Sequence, residues 1–520
     1  MNSILETVIV SAAQMSLIEE QILAAGMPVA ALMEKAAKLC TNRIQSLYPR
    51  SNIASVGVLV GPGHNGGDAL VIARELYLAG YQVKVYRPFF KLKPLTAQHA
   101  NYIASLGIAF SEEIQPLQEC QLIIDGLFGF GLTRALPENI AEIVTAINSW
   151  SQPIVSIDLP SGIHTDTGEV LGAGIRATHT LCLGLWKLAF FQDAALEYLG
   201  TSERIDFGIL PHHVWSVLPQ PAPIQQITAA TALEFLPLPR PVVTHKYQQG
   251  HLLLICGSRR YAGSAILTAL GARASGVGML SIAVPESLKS LLVSHLPEAL
   301  IIDCPENKEG AIASLAISTT NLNKFDVVAC GPGLTLDAKS VVHKALQAEC
   351  PLILDADGLN LLAEQGTRET LTARPAPTIL TPHAGEFKRL FPEIEHPSLD
   401  RITAVQTAAR QSGAIVLFKG AKTAIANPEG STWLISSSTP ALARGGSGDV
   451  LTGLMGGLLA EVQKRENTSE NELFNLVATA AWWHSQAGIL AAQERTELGV
   501  DAFTLSQYLS EVLAAKLLVG

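Results

Sequence analysis

VGVLVGPGHNGGDAL, residues 56–70, decides how the first half of the chain is read. The apolar run Val56–Val60 has the length of a buried strand. After it comes a turn with glycines at 61, 63, 66 and 67, then a helical pattern over Ala69–Ala79. So bare a turn lets backbone N–H groups approach an anion at a helix start. The G-K-[ST] ending of a Walker A loop is missing, and Gly61, Gly63 and Gly66 only approach the G-x-G-x-x-G dinucleotide spacing. Asp68 is either a site residue or the cap of the helix that follows.

The same grammar continues outward. Apolar segments at 81–86, 121–125, 154–158 and 178–184 alternate with helical patterns such as Asn139–Asn148. A second series of strands is expected at 251–256, 279–284, 299–303, 325–330, 351–355, 377–381 and 414–418. Strand–helix alternation predicts α/β units with mostly parallel sheets covered on both faces. Ligands in such sheets gather beyond the carboxyl ends of the strands. The polar, glycine-rich stretches Gly61–Asp68, Asp125–Gly131, Asp158–Gly162, Gly331–Gly333, Asp355–Asp357, Thr381–Glu386 and Gly445–Asp449 mostly follow apolar runs. Prolines at 211, 219, 221, 223, 237, 239 and 241 mark a linker. The expected organisation is a first domain over 1–220, a proline-rich linker and lead-in helix over 221–244, and a second domain over 228–520. No repeat relates the two blocks.

With 520 residues, two or more domains are expected. Charged residues are only 16% and the formal charge is −10, which argues against disorder and against a nucleic-acid or acidic-membrane binder. Seven scattered cysteines without a C-x-x-C pair argue against a disulfide framework or zinc ribbon and fit a reducing, cytoplasmic compartment. The N-terminus lacks the look of a secretion signal. The apolar stretch Ser264–Val284 is broken by Arg273 and reads as a buried helix followed by a strand.

Two further strand ends add chemistry to the first block. DGLFGFGL (125–132) and DLPSG (158–162) each place an aspartate at a strand end. Asn65, Asp125 and Ser161 offer hard oxygen ligands suited to a cation; the plainer alternatives are a turn-forming aspartate and an N-cap serine. GPGHNGGD, DGLFGFGL and DLPSG together resemble the N-terminal domain of the NAD(P)H-hydrate epimerase family, over residues 1–215. The family usually reads N-N-G-G-D-G, against His64 before Asn65 and Ala69 after Asp68 here. The resemblance implies a Rossmann-like three-layer sandwich and a potassium site at Asn65, Asp125 and Ser161. It also implies hydrate binding by His64, Asn65, Gly66, Gly67, Asp68, Gly129, Phe130, Gly131, Leu132, Thr133, Arg134, Ala135 and Asp158. Epimerising a carbinolamine carbon needs proton movement, and Asp158 is the candidate general base.

ARGGSGDVLTGLMGG (443–457) is the most informative stretch of the second block. Leu451, Leu454, Met455, Leu458 and Leu459 predict a helix with one apolar face, beginning near Asp449. The turn Gly446–Gly448 ahead of it would form an anion cradle with Asp449 at its mouth. This turn resembles the G-x-G-D site of ribokinase-like kinases. HKYQQG (245–250), YAGSA (261–265), CGPGL (330–334), DADGLN (355–360), TPHAGEF (381–387) and KGAKT (419–423) narrow the resemblance to the ADP/ATP-dependent NAD(P)H-hydrate dehydratases, over about 228–515. That resemblance implies a ribokinase-like α/β domain, an adenine-nucleotide site at Lys419, Gly420, Ala421, Lys422, Thr423 and Gly448, and a Mg²⁺ ion. Ala265, Gly333 and His383 would contact the hydrate, and Asp449 would bind it and act in catalysis. Simpler roles stand beside these: a solvated Lys419, a structural His383 and turn glycines at 331 and 333.

The expected function is therefore repair of hydrated nicotinamide nucleotides, an isomerase and a lyase in one chain. R and S forms of NAD(P)HX are interconverted, and the S form is dehydrated at the expense of ADP, giving AMP and phosphate, or of ATP. A vitamin or sugar kinase with an accessory domain is the alternative enzyme, and a non-catalytic scaffold is the alternative for the first block. The motifs select neither ADP over ATP nor NADHX over NADPHX. A homo-oligomer is compatible with domains of this kind.

Overall fold

The computed structural model describes residues 3–465 and 468–519. Its backbone divides into two compact units, with the boundary between Ile224 and Gln225.

In the first unit the strands are β1 (Ser55–Val60), β2 (Gln82–Tyr86), β3 (Phe110–Ser111), β4 (Leu122–Gly126), β5 (Ile154–Ile157), β6 (His179–Leu183) and β7 (Thr201–Ile205). They form one parallel sheet in the order β3-β2-β1-β4-β5-β6-β7. That is the doubly wound order of dinucleotide-binding folds, whose crevice opens where the order reverses, between β1 and β4. Val56, Val58 and Ile124 pack with residues of the helices Val29–Leu47 and His64–Leu78 on one face. Leu59 and Ile123 pack with the helix Glu138–Asn148 on the other, which makes three layers. Outside the sheet, Ile9 and Val10 pair in parallel with Trp186 and Lys187. This short ladder anchors the start of the chain, and with it the helix Ala12–Ala24, beside the end of β6.

The second unit carries β8 (Ile224–Gln226), β9 (His251–Ile255), β10 (Met279–Pro285), β11 (Leu300–Cys304), β12 (Val327–Cys330), β13 (Leu352–Leu354), β14 (Thr378–Leu380), β15 (Ile415–Phe418), β16 (Ala424–Ala426) and β17 (Thr432–Leu434). Their order is β8-β17-β16-β15-β14-β13-β12-β9-β10-β11. The stretch from β15 to β11 is parallel, while β16 pairs antiparallel with both β15 and β17. The strand order reverses at β9 and β12, so CGPGL emerges at a switch point.

The expected one-sided helix after Gly446 is corrected. It runs Ser447–Val462, two residues earlier than Asp449, and is buried all round from Val450 to Val462. The reason is its position against the helices Ala262–Ser275 and Glu470–Arg495 as well as strands β9 and β12. Contact with the first of these is backbone to backbone: a Cβ at Gly453 would lie 1.7 Å from the Thr268 carbonyl oxygen. Ser264–Val284 is the helix and strand expected. All seven cysteines are buried free thiols. Among the described residues, no helix is long and apolar enough to cross a membrane.

Candidate functional sites

In the first unit the glycine turn is shorter than the sequence suggests. The helix starts at His64 with Gly63 as N-cap, so Gly66 and Gly67 lie inside its first turns. Asp68 is therefore not the cap. The early start is possible because Gly66 has no side chain: a Cβ there would sit 2.0 Å from the Gly61 carbonyl oxygen.

A cavity of about 840 Å³ opens beside this turn, within the usual size range of small-molecule sites. Of the expected hydrate-binding residues, His64, Asn65, Asp68, Gly129 to Arg134 and Asp158 lie on its wall. Gly66, Gly67 and Ala135 do not; Gly67 is covered by Met33.

Asp158 ends β5 in the left-handed region, at φ 68°, and is 3% exposed. Its Oδ2 accepts from the Phe130 amide at 3.0 Å. Its Oδ1 accepts from the Leu183 amide at 3.3 Å and from Lys187 Nζ at 2.6 Å. Lys187 is wholly buried and also donates to the Leu183 carbonyl. Burial pulls the Lys187 ammonium down, but the charge and hydrogen bond of Asp158, with Cys182 and Glu19 nearby, together outweigh it and leave it raised. The sequence reading missed Lys187. Its signal was a lone charge inside LCLGLWKLAFF (181–191), which has to be buried and paired. It also missed Glu19, which the helix Ala12–Ala24 presents to the same cavity. Burial, opposed by Lys187 and aided by Asp158, pushes the Glu19 carboxyl up to about 7. Asp68 is likewise held well above the usual carboxylate range, by burial and then by Asp158 and Glu19.

Behind the cavity wall, Asp125 is fully buried at the end of β4. Its carboxylate accepts from Ser161 Oγ at 2.6 Å, Ser156 Oγ at 2.8 Å, and the Ser161 and Leu127 amides at 2.9 and 3.2 Å. No basic side chain pairs with it among the described residues, and burial raises its carboxyl. The Asn65 Nδ2 is buried without a hydrogen-bond partner. A Cβ on Gly129 would lie 3.3 Å from Asn65 Oδ1 and 3.1 Å from Asp158 Oδ2, so all three expected cation ligands and the expected base converge on this loop.

In the second unit, Gly446 caps the helix Ser447–Val462 at φ 90°, and Ser447, Gly448 and Asp449 form its first turn. The Ser447 amide donates to the Arg444 carbonyl at 3.3 Å, which leaves the Gly448 and Asp449 amides as the open donors of the helix start. Lys419 follows β15, and its Nζ donates to Asp355 Oδ1 at 2.8 Å. The other oxygen, Oδ2, accepts from Thr452 Oγ1 at 2.8 Å. A Cβ on Gly448 would lie 3.4 Å from Lys419 Nζ, so the lysine faces the amide turn directly. Asp449 is half-buried; burial raises its carboxyl to about 7 against the pull of a Ser264 hydrogen bond. Gly333 packs on Ser264, where a Cβ would come within 2.7 Å. Arg401 donates to the Phe418 and Lys419 carbonyls and lies 4.1 Å from the Phe418 ring centre, bracing this strand end.

Lys419, Gly448, Asp449 and Gly333 are thus brought together. Gly420 packs on the Arg401 guanidinium. Beyond Ala421, Lys422 donates to the Ser436 carbonyl, and Thr423 Oγ1 donates to the Gly420 carbonyl at 3.4 Å. The Ala265 methyl is fully buried in the core, which leaves only its backbone for a ligand. His383 caps the helix Ala384–Leu390: its Nδ1 accepts from Gly385 N at 2.9 Å, while Glu386 bonds back to His383 N. Asp355 lay inside a quoted motif, yet its part in holding Lys419 depends on a contact 64 residues away in sequence.

Comparisons with known proteins agree with this division. The family described as YjeF-related protein N-terminus matches residues 29–189, and the family described as NAD(P)H-hydrate dehydratase matches 252–511. A bifunctional NAD(P)H-hydrate repair enzyme of Synechocystis sp. is 58% identical over 96% of this chain and 94% of its own. One from Gloeobacter violaceus is 47% identical over 99% of both. A crystal structure of ADP/ATP-dependent NAD(P)H-hydrate dehydratase from Bacillus subtilis, co-crystallized with ATP/Mg²⁺, is 30% identical, covering 56% of this chain and 97% of that one with a TM-score of 0.46. On full-length identity to these relatives, the chain belongs to the family of bifunctional NAD(P)H-hydrate repair enzymes.

Proposed function

We propose that the first unit interconverts the R and S hydrates of NAD(P)H and that the second dehydrates the S form with ADP or ATP. The observation that carries this is the second site: a half-buried carboxylate, Asp449, beside an amide turn faced by the Lys419–Asp355 pair.

The C6 hydroxyl of the hydrate is a poor leaving group. Asp449 takes its proton while the hydroxyl oxygen attacks the terminal phosphorus of the nucleotide. The amides of Gly448 and Asp449 and the Lys419 ammonium offset charge on the phosphoryl oxygens. Phosphate then departs from C6 as a C5 proton is lost, and the dihydropyridine ring is restored. The buried carboxylates Asp355 and Glu386, both electrostatically coupled to Lys419, suit a hard divalent cation. Mg²⁺ bound there supplies further neutralisation of phosphate charge.

In the first unit Asp158, paired with Lys187 at 2.6 Å, is the base at the C6 carbinolamine. The donor set behind it fits a weakly hydrated monovalent cation such as K⁺. Asp125 is a buried carboxylate without a basic partner, Ser161 adds a hydroxyl, and half a turn of the Asn65 amide puts its carbonyl oxygen at the unpartnered position. K⁺ held by Asn65, Asp125 and Ser161 would supply a fixed positive charge behind the loop around Gly129. The buried free thiols fit a cytoplasmic setting.

The test gives the full chain R or S hydrate with ADP or ATP in turn and follows dihydronicotinamide absorbance. Recovery from S at once, and from R after conversion, is expected. A stable phosphorylated product in place of NAD(P)H would identify a kinase instead.

A further inference from the structure

Three carboxylates line the first cavity, and one buried ammonium is paired with one of them. Asp158 comes from the end of β5, Lys187 from the strand paired to Ile9–Val10, Asp68 from the helix His64–Leu78 and Glu19 from the helix Ala12–Ala24. Asp158, Asp68 and Glu19 all line the cavity. His64, Lys93 and Arg134 are the other titratable or charged groups on that wall beside Glu20. One buried ammonium faces two buried carboxylates and the half-buried Glu19, an arrangement that favours a proton held within the cluster. Lys187 donates to Asp158 at 2.6 Å, whereas neither Glu19 nor Asp68 has an ammonium against it among the described residues, and burial raises the carboxyls of both. Asp68 is 8% exposed, whereas Glu19 lines the same cavity half-buried, open to proton exchange with solvent between turnovers.

We infer that Glu19 is the acid partner of Asp158 in hydrate epimerisation, a second catalytic residue contributed by the N-terminal helix. This rests on the epimerase reading of the first unit. Two carboxyl groups whose surroundings drive their proton affinities apart divide acid and base roles between them. In one direction Glu19 gives its proton to the C6 hydroxyl, and the C6–O bond breaks to release water. The N1 lone pair forms the N1=C6 double bond. Water then adds to the opposite face of C6 and passes its extra proton to Asp158. Asp158 returns a proton to solvent and Glu19 recovers one, so no atom or electron is gained or lost. The reverse reaction exchanges the two roles. With Glu19 held at about 7 by burial, the productive state holds one proton shared by the pair and is lost in alkali.

The experiment uses the full chain without nucleotide and follows R and S hydrates by chromatography. Dehydration of S hydrate with ADP, carried out by the other unit, normalises the enzyme concentration. Glu19→Gln should lower epimerisation on the order of a hundredfold or more, the usual worth of a positioned acid. The parent should lose activity about tenfold per pH unit above about 8, and Glu19→Asp should retain partial activity with that limb displaced. Parental epimerisation by Glu19→Gln with an unchanged alkaline limb would overturn the inference while leaving the epimerase reading intact. Absence of epimerisation by the parent itself sinks that reading instead. Should Glu19→Gln fail to fold, a flat parental profile from about pH 7 to 9 also overturns it.

Discussion

Replacing Lys187 by Met removes one charge from a buried pair while roughly conserving side-chain volume. At 2.6 Å, the Lys187–Asp158 attraction is about 6 kcal/mol at an effective dielectric of about 20. Desolvation of two ions 1% and 4% exposed offsets most of that, so the intact pair adds little net stability. The variant keeps the cost and loses the attraction. Asp158 retains only the amides of Phe130 and Leu183, and a stranded buried charge costs about 3–5 kcal/mol. The expected outcome is a loss of that size in hydrogen-exchange protection across β5 and β6 in the full chain at neutral pH. Epimerisation should fall with it. Lys187→Met combined with Asp158→Asn should recover most of the lost protection. Protection within about 1 kcal/mol of the parent in the single variant, or no recovery in the double, would refute the reasoning.

Asp449→Asn should slow dehydration at least about a hundredfold, or about 2.7 kcal/mol, with the nucleotide dissociation constant unchanged. Because burial holds Asp449 at about 7 and only its ionised form takes a proton, parental kcat/KM for dehydration should climb with pH through about 7. That limb should vanish in the variant. Potassium at ten times its dissociation constant should stabilise the first unit by about 1.4 kcal/mol over choline, measured by its thermal unfolding, and Asp125→Asn should abolish the difference. Gly446→Ala places a Cβ 2.5 Å from Leu267 Cδ1 at φ 90°, and the left-handed strain alone costs about 1–2 kcal/mol. A lowered denaturation midpoint of the second unit and weaker ADP binding in calorimetry would register it.

The buried strands were legible because runs such as Leu252–Ile255 and Val327–Cys330 are apolar on both faces, as parallel strands covered by helices must be. Polar edges were not: β7, reading TSERI, carries no such run, and the short antiparallel β16 and β17 are three residues each. The helix start at His64 was hidden because glycines read as loop, whereas close approach to Gly61 makes them necessary within the helix.

By itself the sequence determined the α/β character of both halves, their buried central strands and the aspartate- and glycine-bearing loops at strand ends, all of which are local pattern. Only tertiary structure decided which charges meet. Glu19 reaches the cavity through pairing of Ile9 with Trp186, and Lys187 meets Asp158 across the end of β6. Proton affinity depends on burial and on neighbours distant in the chain, and neither is written in the spacing of residues.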